Sequence, residues 1–161
     1  MKKIMMAAAA AMVATPAMAA DWKVKTEIDE FDGTSSTYLI SQEQVKPTKE
    51  LDWPYKNKKA YMYYDCNSNR FVINTKASNL TGGTYSSDSQ IYDVRMKIDD
   101  NKATYGLITQ RYGSDFLTID INTSRKMVKG TDEFLIQLPH YSDGNRVWKF
   151  DISGFDKGKC N

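Results

Sequence analysis

Apolar and polar residues alternate in twos along most of this chain. Trp22, Val24, Thr26 and Ile28 alternate with Lys23, Lys25 and Glu27, the side-chain period of a strand with one face in water. Residues 29–33 read as a turn, and 34–41 as a second strand completing a hairpin. A second hairpin is predicted from 59–65 and 71–75, around Asn67-Ser68-Asn69. Further strands are expected over 91–98, 104–109, 116–119, 133–138 and 147–152. The segments between them, Asp99-Asp100-Asn101, Tyr112-Gly113-Ser114 and Ser142-Asp143-Gly144-Asn145, carry turn chemistry. One stretch departs from period two: 122–129 reads as a short helix, with Asn122 or Thr123 as cap and Gly130 as stop. Short strands with at most one short helix predict an all-β fold, an antiparallel two-sheet β-sandwich. A closed barrel is the alternative that the pattern leaves open.

The first nineteen residues follow a different pattern. Lys2 and Lys3 precede an apolar run over 4–13, and Ala17-Met18-Ala19 places small residues at both positions a signal peptidase reads. We read 1–19 as a bacterial-type signal peptide cleaved after Ala19, and 20–161 as a single periplasmic or secreted domain. The apolar run is too short to span a bilayer, and no later segment replaces it, so no membrane anchor is expected after cleavage. The signal also accounts for the charge. The chain carries 22 basic and 20 acidic residues; without Lys2 and Lys3 the balance is zero. A neutral domain lacking a basic stretch gives no electrostatic reason to expect nucleic acid as a partner.

Cys66 and Cys160 are the only cysteines. In an oxidising compartment two such residues are expected to pair, tying the C-terminal tail to a central strand. A redox or nucleophilic thiol is the competing reading, opposed by the lack of a CxxC motif and of a partner set for His140, the only histidine. Other chemistry is equally sparse. One His makes no His-rich metal site, and there is no Gly-x-Ser-x-Gly elbow and no Gly-rich phosphate loop. Asp120-Ile121-Asn122-Thr123-Ser124 imitates the start of a calcium loop, but Arg125 stands where Gly is needed. Asp29, Glu30 and Asp32 read as a solvated turn rather than a catalytic carboxylate pair. No catalytic residue, metal or cofactor is therefore expected.

Recognition chemistry remains. Trp53-Pro54-Tyr55 sits in a long polar connection with neighbouring lysines, and large rings in such places anchor protein interfaces or stack on sugars. The competing reading has Trp53 and Tyr55 capping the core. Arg111 and Tyr112, at a turn, are further binding candidates. Tyr61 and Tyr63 should share one strand face and pack, with Tyr64 on the other.

Several motifs recur in one order: Trp22-Lys23-Val24 leading to Asp29, Phe31 and Asp32; Tyr64-Asp65-Cys66 leading into Phe71-Val72-Ile73; and Val94-Arg95-Met96-Lys97-Ile98-Asp99. Phe134-Leu135-Ile136, then Phe150-Asp151-Ile152-Ser153-Gly154-Phe155 and a terminal Cys160, complete the order. This order resembles the TagO-like periplasmic accessory proteins associated with type VI secretion systems, across nearly the whole of 20–161. Two departures stand out: 42–58 looks like an insertion, and Lys97 occupies a position where the family usually has Arg. The resemblance implies a non-catalytic periplasmic accessory or interaction protein with an envelope or periplasmic protein as partner. Similar sequences also occur as small secreted proteins outside secretion clusters, including on phages. A periplasmic inhibitor or immunity-type protein acting on a cell-wall enzyme or a phage or envelope process is therefore the alternative, and a cell-wall glycan binder the third.

Overall fold

Alternating burial builds the strands. In a computed structural model, residues 19–76 and 80–160 are described; the segment read as a signal lies outside the described residues, except for Ala19. Ten strands run in chain order: β1 (Trp22–Ile28), β2 (Ser35–Ser41), β3 (Tyr61–Asp65), β4 (Arg70–Asn74), β5 (Thr84–Ser86), β6 (Ser89–Ile98), β7 (Thr104–Arg111), β8 (Phe116–Ile119), β9 (Glu133–His140) and β10 (Gly144–Asp151). A single helix, α1 (Ile121–Met127), joins β8 to β9, and a 3-10 turn (Lys157–Cys160) closes the described chain. On β9, Phe134, Ile136, Leu138 and His140 are buried while the residues between them are half-exposed. β3 does the same with Met62 and Tyr64.

All pairings are antiparallel, in the order β1-β2-β3-β4-β8-β7-β6-β9-β10, with β5 attached to β6. The fold is all-β and sandwich-like, and the sheet does not close into a barrel. Hydrogen bonding runs unbroken from β1 to β10, so the layers belong to one folded sheet rather than two separate ones. The outer edge of β10 is covered. Residues 42–58 run alongside it: Pro47 bridges Trp148, the Thr48 amide donates to the Val147 carbonyl (2.9 Å), and Val45 pairs with Ala60 just before β3. Pro47 and Leu51 are buried by this arrangement. The stretch that read as an insertion is thus built into the sheet's margin.

Three local differences from the sequence reading have physical causes. On β1 the apolar alternation predicts a buried face, yet only Trp22 is buried; Val24 is 52% and Ile28 68% exposed. β1 is the terminal strand, and beyond Trp22 its inner side overhangs the core. The helix cap is Asp120, not Asn122 or Thr123: its Oδ1 accepts from both of their amides at 2.9 Å, satisfying donors that a helix start leaves unpaired. The helix ends before Gly130, whose φ of +97° suits glycine. Strand β5 has no buried residue and therefore no hydrophobic period to announce it.

Helix and tail are held by buried contacts. Ser124, fully buried in α1, accepts a hydrogen bond from the Phe71 amide of β4 at 3.1 Å. Phe155 packs its ring 5.2 Å from Trp22, 5.0 Å from Tyr64 and 4.9 Å from Phe71. Cys66 and Cys160 are disulfide-bonded, with Cα atoms 5.6 Å apart, so the pairing reading holds over the free-thiol one. Closing so long a loop removes much of the unfolded chain's freedom. Replacing both cysteines by alanine is expected to lower the unfolding free energy by about 2–5 kcal/mol, read as an earlier midpoint in urea denaturation.

Candidate functional site

The strand alternation that sends Met62 and Tyr64 inward sends Tyr61 and Tyr63 outward. Cross-strand register then assembles a face. Tyr63 lies opposite Ile40 of β2, Lys25 of β1 lies opposite Tyr38, and Asn74 of β4 lies opposite both Tyr61 and Phe116 of β8. Side chains from five adjacent strands meet there. Tyr63 is the hub: its ring meets Tyr38 edge-on at 5.6 Å and Phe116 at 5.9 Å, and sits 6.5 Å from Tyr61. The Lys76 ammonium lies 5.7 Å over the Tyr61 ring, within cation–π range, and the Asn74 amide donates to the Tyr61 oxygen at 3.1 Å. Lys25 and Glu27 pair at 2.6 Å on the β1 side. Between these groups runs a shallow groove of about 230 Å³, lined by Lys25, Glu27, Tyr38, Ile40, Tyr63 and Phe116 among others.

Burial, reinforced by the neighbouring Tyr38 and Asp65, pushes the Tyr63 phenol above its ordinary pKa. It stays neutral across the physiological range and so offers a hydroxyl and a ring face rather than a phenolate. The Lys25 ammonium is raised by its hydrogen bond to Glu27 and by that carboxylate's charge. The face therefore offers apolar rings, hydroxyls and one compensated charge pair. That is recognition chemistry, since rings supply a large contact area with few rotatable bonds.

The residues singled out from sequence lie elsewhere and separate from one another. Trp53 is 89% exposed. The segment leading to it is fixed by a buried ion pair: the Asp52 amide donates to Asp143 Oδ1 at 2.9 Å, and Arg146, 3.5 Å from that carboxylate, reaches the Glu50 carbonyl. Tyr55, two residues on, is half-buried against the core. Tyr112 stacks on Tyr85 at 6.0 Å and 20°, and Arg111 faces Asp88 at 3.7 Å. Sequence reasoning placed Tyr61 and Tyr63 together but did not make them a site. The available signal was two tyrosines at i and i+2 flanking a buried methionine, with Tyr38 in the preceding strand.

The chemical groups weighed from sequence have structural employment. His140 is buried and its Nε2 accepts from the Trp148 indole N–H at 3.1 Å. Asp120 caps α1. The amides of Phe31 and Thr34 donate to Asp29 and Asp32 at 2.7 and 2.8 Å, which makes those carboxylates turn-formers. Among the described residues no group of three or more His, Cys, Asp or Glu is placed to hold a metal ion, and no helix is long and apolar enough to cross a membrane. Compared with known proteins, the chain matches no family model, no curated protein and no solved structure.

Two outcomes are expected from these contacts. A double-mutant cycle of Tyr38→Ala and Tyr63→Ala, read by chemical denaturation, should return a coupling of about 0.5–1.5 kcal/mol for the ring pair. Burial lowers the His140 pKa from 6.5 to about 4, with the Arg146 charge acting the same way and Asp143 opposing it. The folded state thus holds the imidazole neutral. Stability from this group is complete above pH 6.5 and is lost as pH falls towards 4, to the extent of about 3 kcal/mol. A His140→Gln variant, unfolded with urea at successive pH values, should lose that part of the pH dependence.

Proposed function

We propose that this protein is a non-catalytic interaction module of the periplasm that docks a partner protein on the outer face of β1, β2, β3, β4 and β8. The observation that carries the reading is the exposed ring cluster of Tyr38, Tyr61, Tyr63 and Phe116, rimmed by Lys25, Glu27 and Lys76. Aromatic anchors inside a polar rim are the composition of a protein interface. The groove is shallow and holds one carboxylate, already paired with lysine, which is poor equipment for hydrolysis and good equipment for contact. The disulfide is compatible with an oxidising compartment, as the signal-like first residues require. The finer assignment, an accessory protein similar to the TagO-like family, rests on the motif order described above.

A specific feature favours a second reading, that of an inhibitor of a cell-wall enzyme. The β1–β2 hairpin overhangs the core, and its turn, braced by Asp29 and Asp32, presents Phe31 wholly exposed at the tip. A braced, projecting ring is suited to filling a cleft.

Pull-down from envelope extract with the oxidised protein separates these readings. The leading one expects a partner protein captured by wild type and weakened roughly tenfold or more by Tyr38→Ala/Tyr63→Ala, with Phe31→Ala and Trp53→Ala unaffected. Loss on Phe31→Ala alone, with a cell-wall enzyme as the captured species, would transfer the function to the hairpin. Binding to purified peptidoglycan with no protein captured would overturn both in favour of glycan binding on the same rings.

A further inference from the structure

Four cationic side chains from three separate stretches of the sequence line one groove. Arg70 opens β4, Arg125 lies on α1, Lys129 follows the helix, and Lys157 begins the closing 3-10 turn. The groove has a volume of about 660 Å³, and among the described residues no carboxylate lines it. Elsewhere on the protein, lysines and arginines with an acid in reach take it: Lys25 with Glu27, Lys46 with Glu50, Arg111 with Asp88 and Arg146 with Asp143. None of the four groove cations forms an ion pair among the described residues. The acid closest in register, Asp65 opposite Arg70, is occupied by the turn that follows it, accepting from the Asn67 amide and from the Ser68 amide and hydroxyl.

Because residues 20–161 carry equal numbers of acids and bases, this concentration is an asymmetry of the folded surface and not a by-product of net charge. Like charges gathered without counter-charges raise the local potential and destabilise the fold slightly, so an anion gains there what the protein lacks. The walls are also set in advance. Lys157 belongs to the turn that the Cys66–Cys160 disulfide fastens to the β3–β4 connection, and the buried Ser124 hydrogen bond docks the helix that carries Arg125. Two guanidinium groups supply planar, two-pronged donors that match phosphate oxygens, and two ammonium groups add point charges.

We propose that this groove binds a ligand bearing phosphate, either a soluble phosphorylated molecule or a phosphorylated lipid head group. It is separate from the tyrosine face, with which it shares no lining residue.

The test uses the oxidised full-domain protein and two probes. The first is inorganic pyrophosphate, followed by calorimetry at low and moderate salt. The second is co-sedimentation with phosphatidylcholine vesicles, with and without phosphatidic acid. The expected result is saturable, salt-weakened binding to pyrophosphate, to the phosphatidic acid vesicles, or to both. Arg125→Gln/Lys129→Gln should weaken it roughly tenfold or more, and Lys23→Gln should leave it unchanged. Binding to vesicles alone assigns the head group as the source; binding to pyrophosphate alone assigns the soluble one. Should the double variant fail to fold by circular dichroism, Lys157→Gln in the closing 3-10 turn is read in its place, with the same direction of change. No binding to either probe, or binding equal in wild type and the groove variants, overturns the proposal.

Discussion

The contact of Phe155 with Trp22, Tyr64 and Phe71 gathers the first strand, the central hairpin and the tail into one ring cluster. Those three rings come from the first strand and from the central hairpin, and the fourth comes from the tail. β1 contributes only Trp22 to the core, so its attachment on that side depends on having a ring to meet. The tail is placed by the disulfide from one end and by the Ala20 amide donating to Ser153 Oγ from the other. Edge-on aromatic pairs contribute about 0.5–1.5 kcal/mol each beyond the area they bury. The arrangement favours the ring over the polar handle: Trp22 Nε1 is buried and has no hydrogen-bond partner among the described residues, a cost of about 1–3 kcal/mol that the surrounding rings must exceed.

What the sequence made legible, and what it hid, divides along a physical line. The sequence pattern identified nine of the ten strands, each of which buries at least one residue; β5, with no buried residue, had nothing to betray it. The cysteine pair was readable because there was only one way to pair them. Cap and core overhang were not. Asp120 looked like the start of an imitation calcium loop, and only the turn of the backbone into α1 shows it accepting two amides. Val24 and Ile28 looked like core because alternation reports which residues share a side, and says nothing of whether another layer covers that side.

Both proposed surfaces illustrate the same limit at a larger scale. The tyrosine face exists because register places Ile40 beside Tyr63 and Asn74 beside both Tyr61 and Phe116, and register cannot be read from one strand at a time. The basic groove is harder still. A balance of zero across 20–161 gave no electrostatic reason to expect nucleic acid, yet a sum over the chain is blind to where the charges end up. Arg70 and Lys157 line one groove because the disulfide ties the tail to the connection that precedes β4. The aromatic loop around Trp53 was conspicuous in sequence for its composition, whereas the structure shows the same loop doing architectural duty through Pro47, Leu51 and the Asp52 amide.

That duty has a consequence for how the sheet meets its surroundings. An exposed strand edge is a template on which another chain can add. At the β10 end, Pro47 and Thr48 already occupy the positions beside Trp148 and Val147, and proline offers no amide to a newcomer. At the other end of the main strand order stands β1, whose water-facing side carries Lys23 and Lys25. A sheet sealed on one margin and charged on the other has a direction. A strand added at β1 therefore finds no second open edge at the β10 end of this order, and β5, paired with β6 off the path, is a further edge of only three residues.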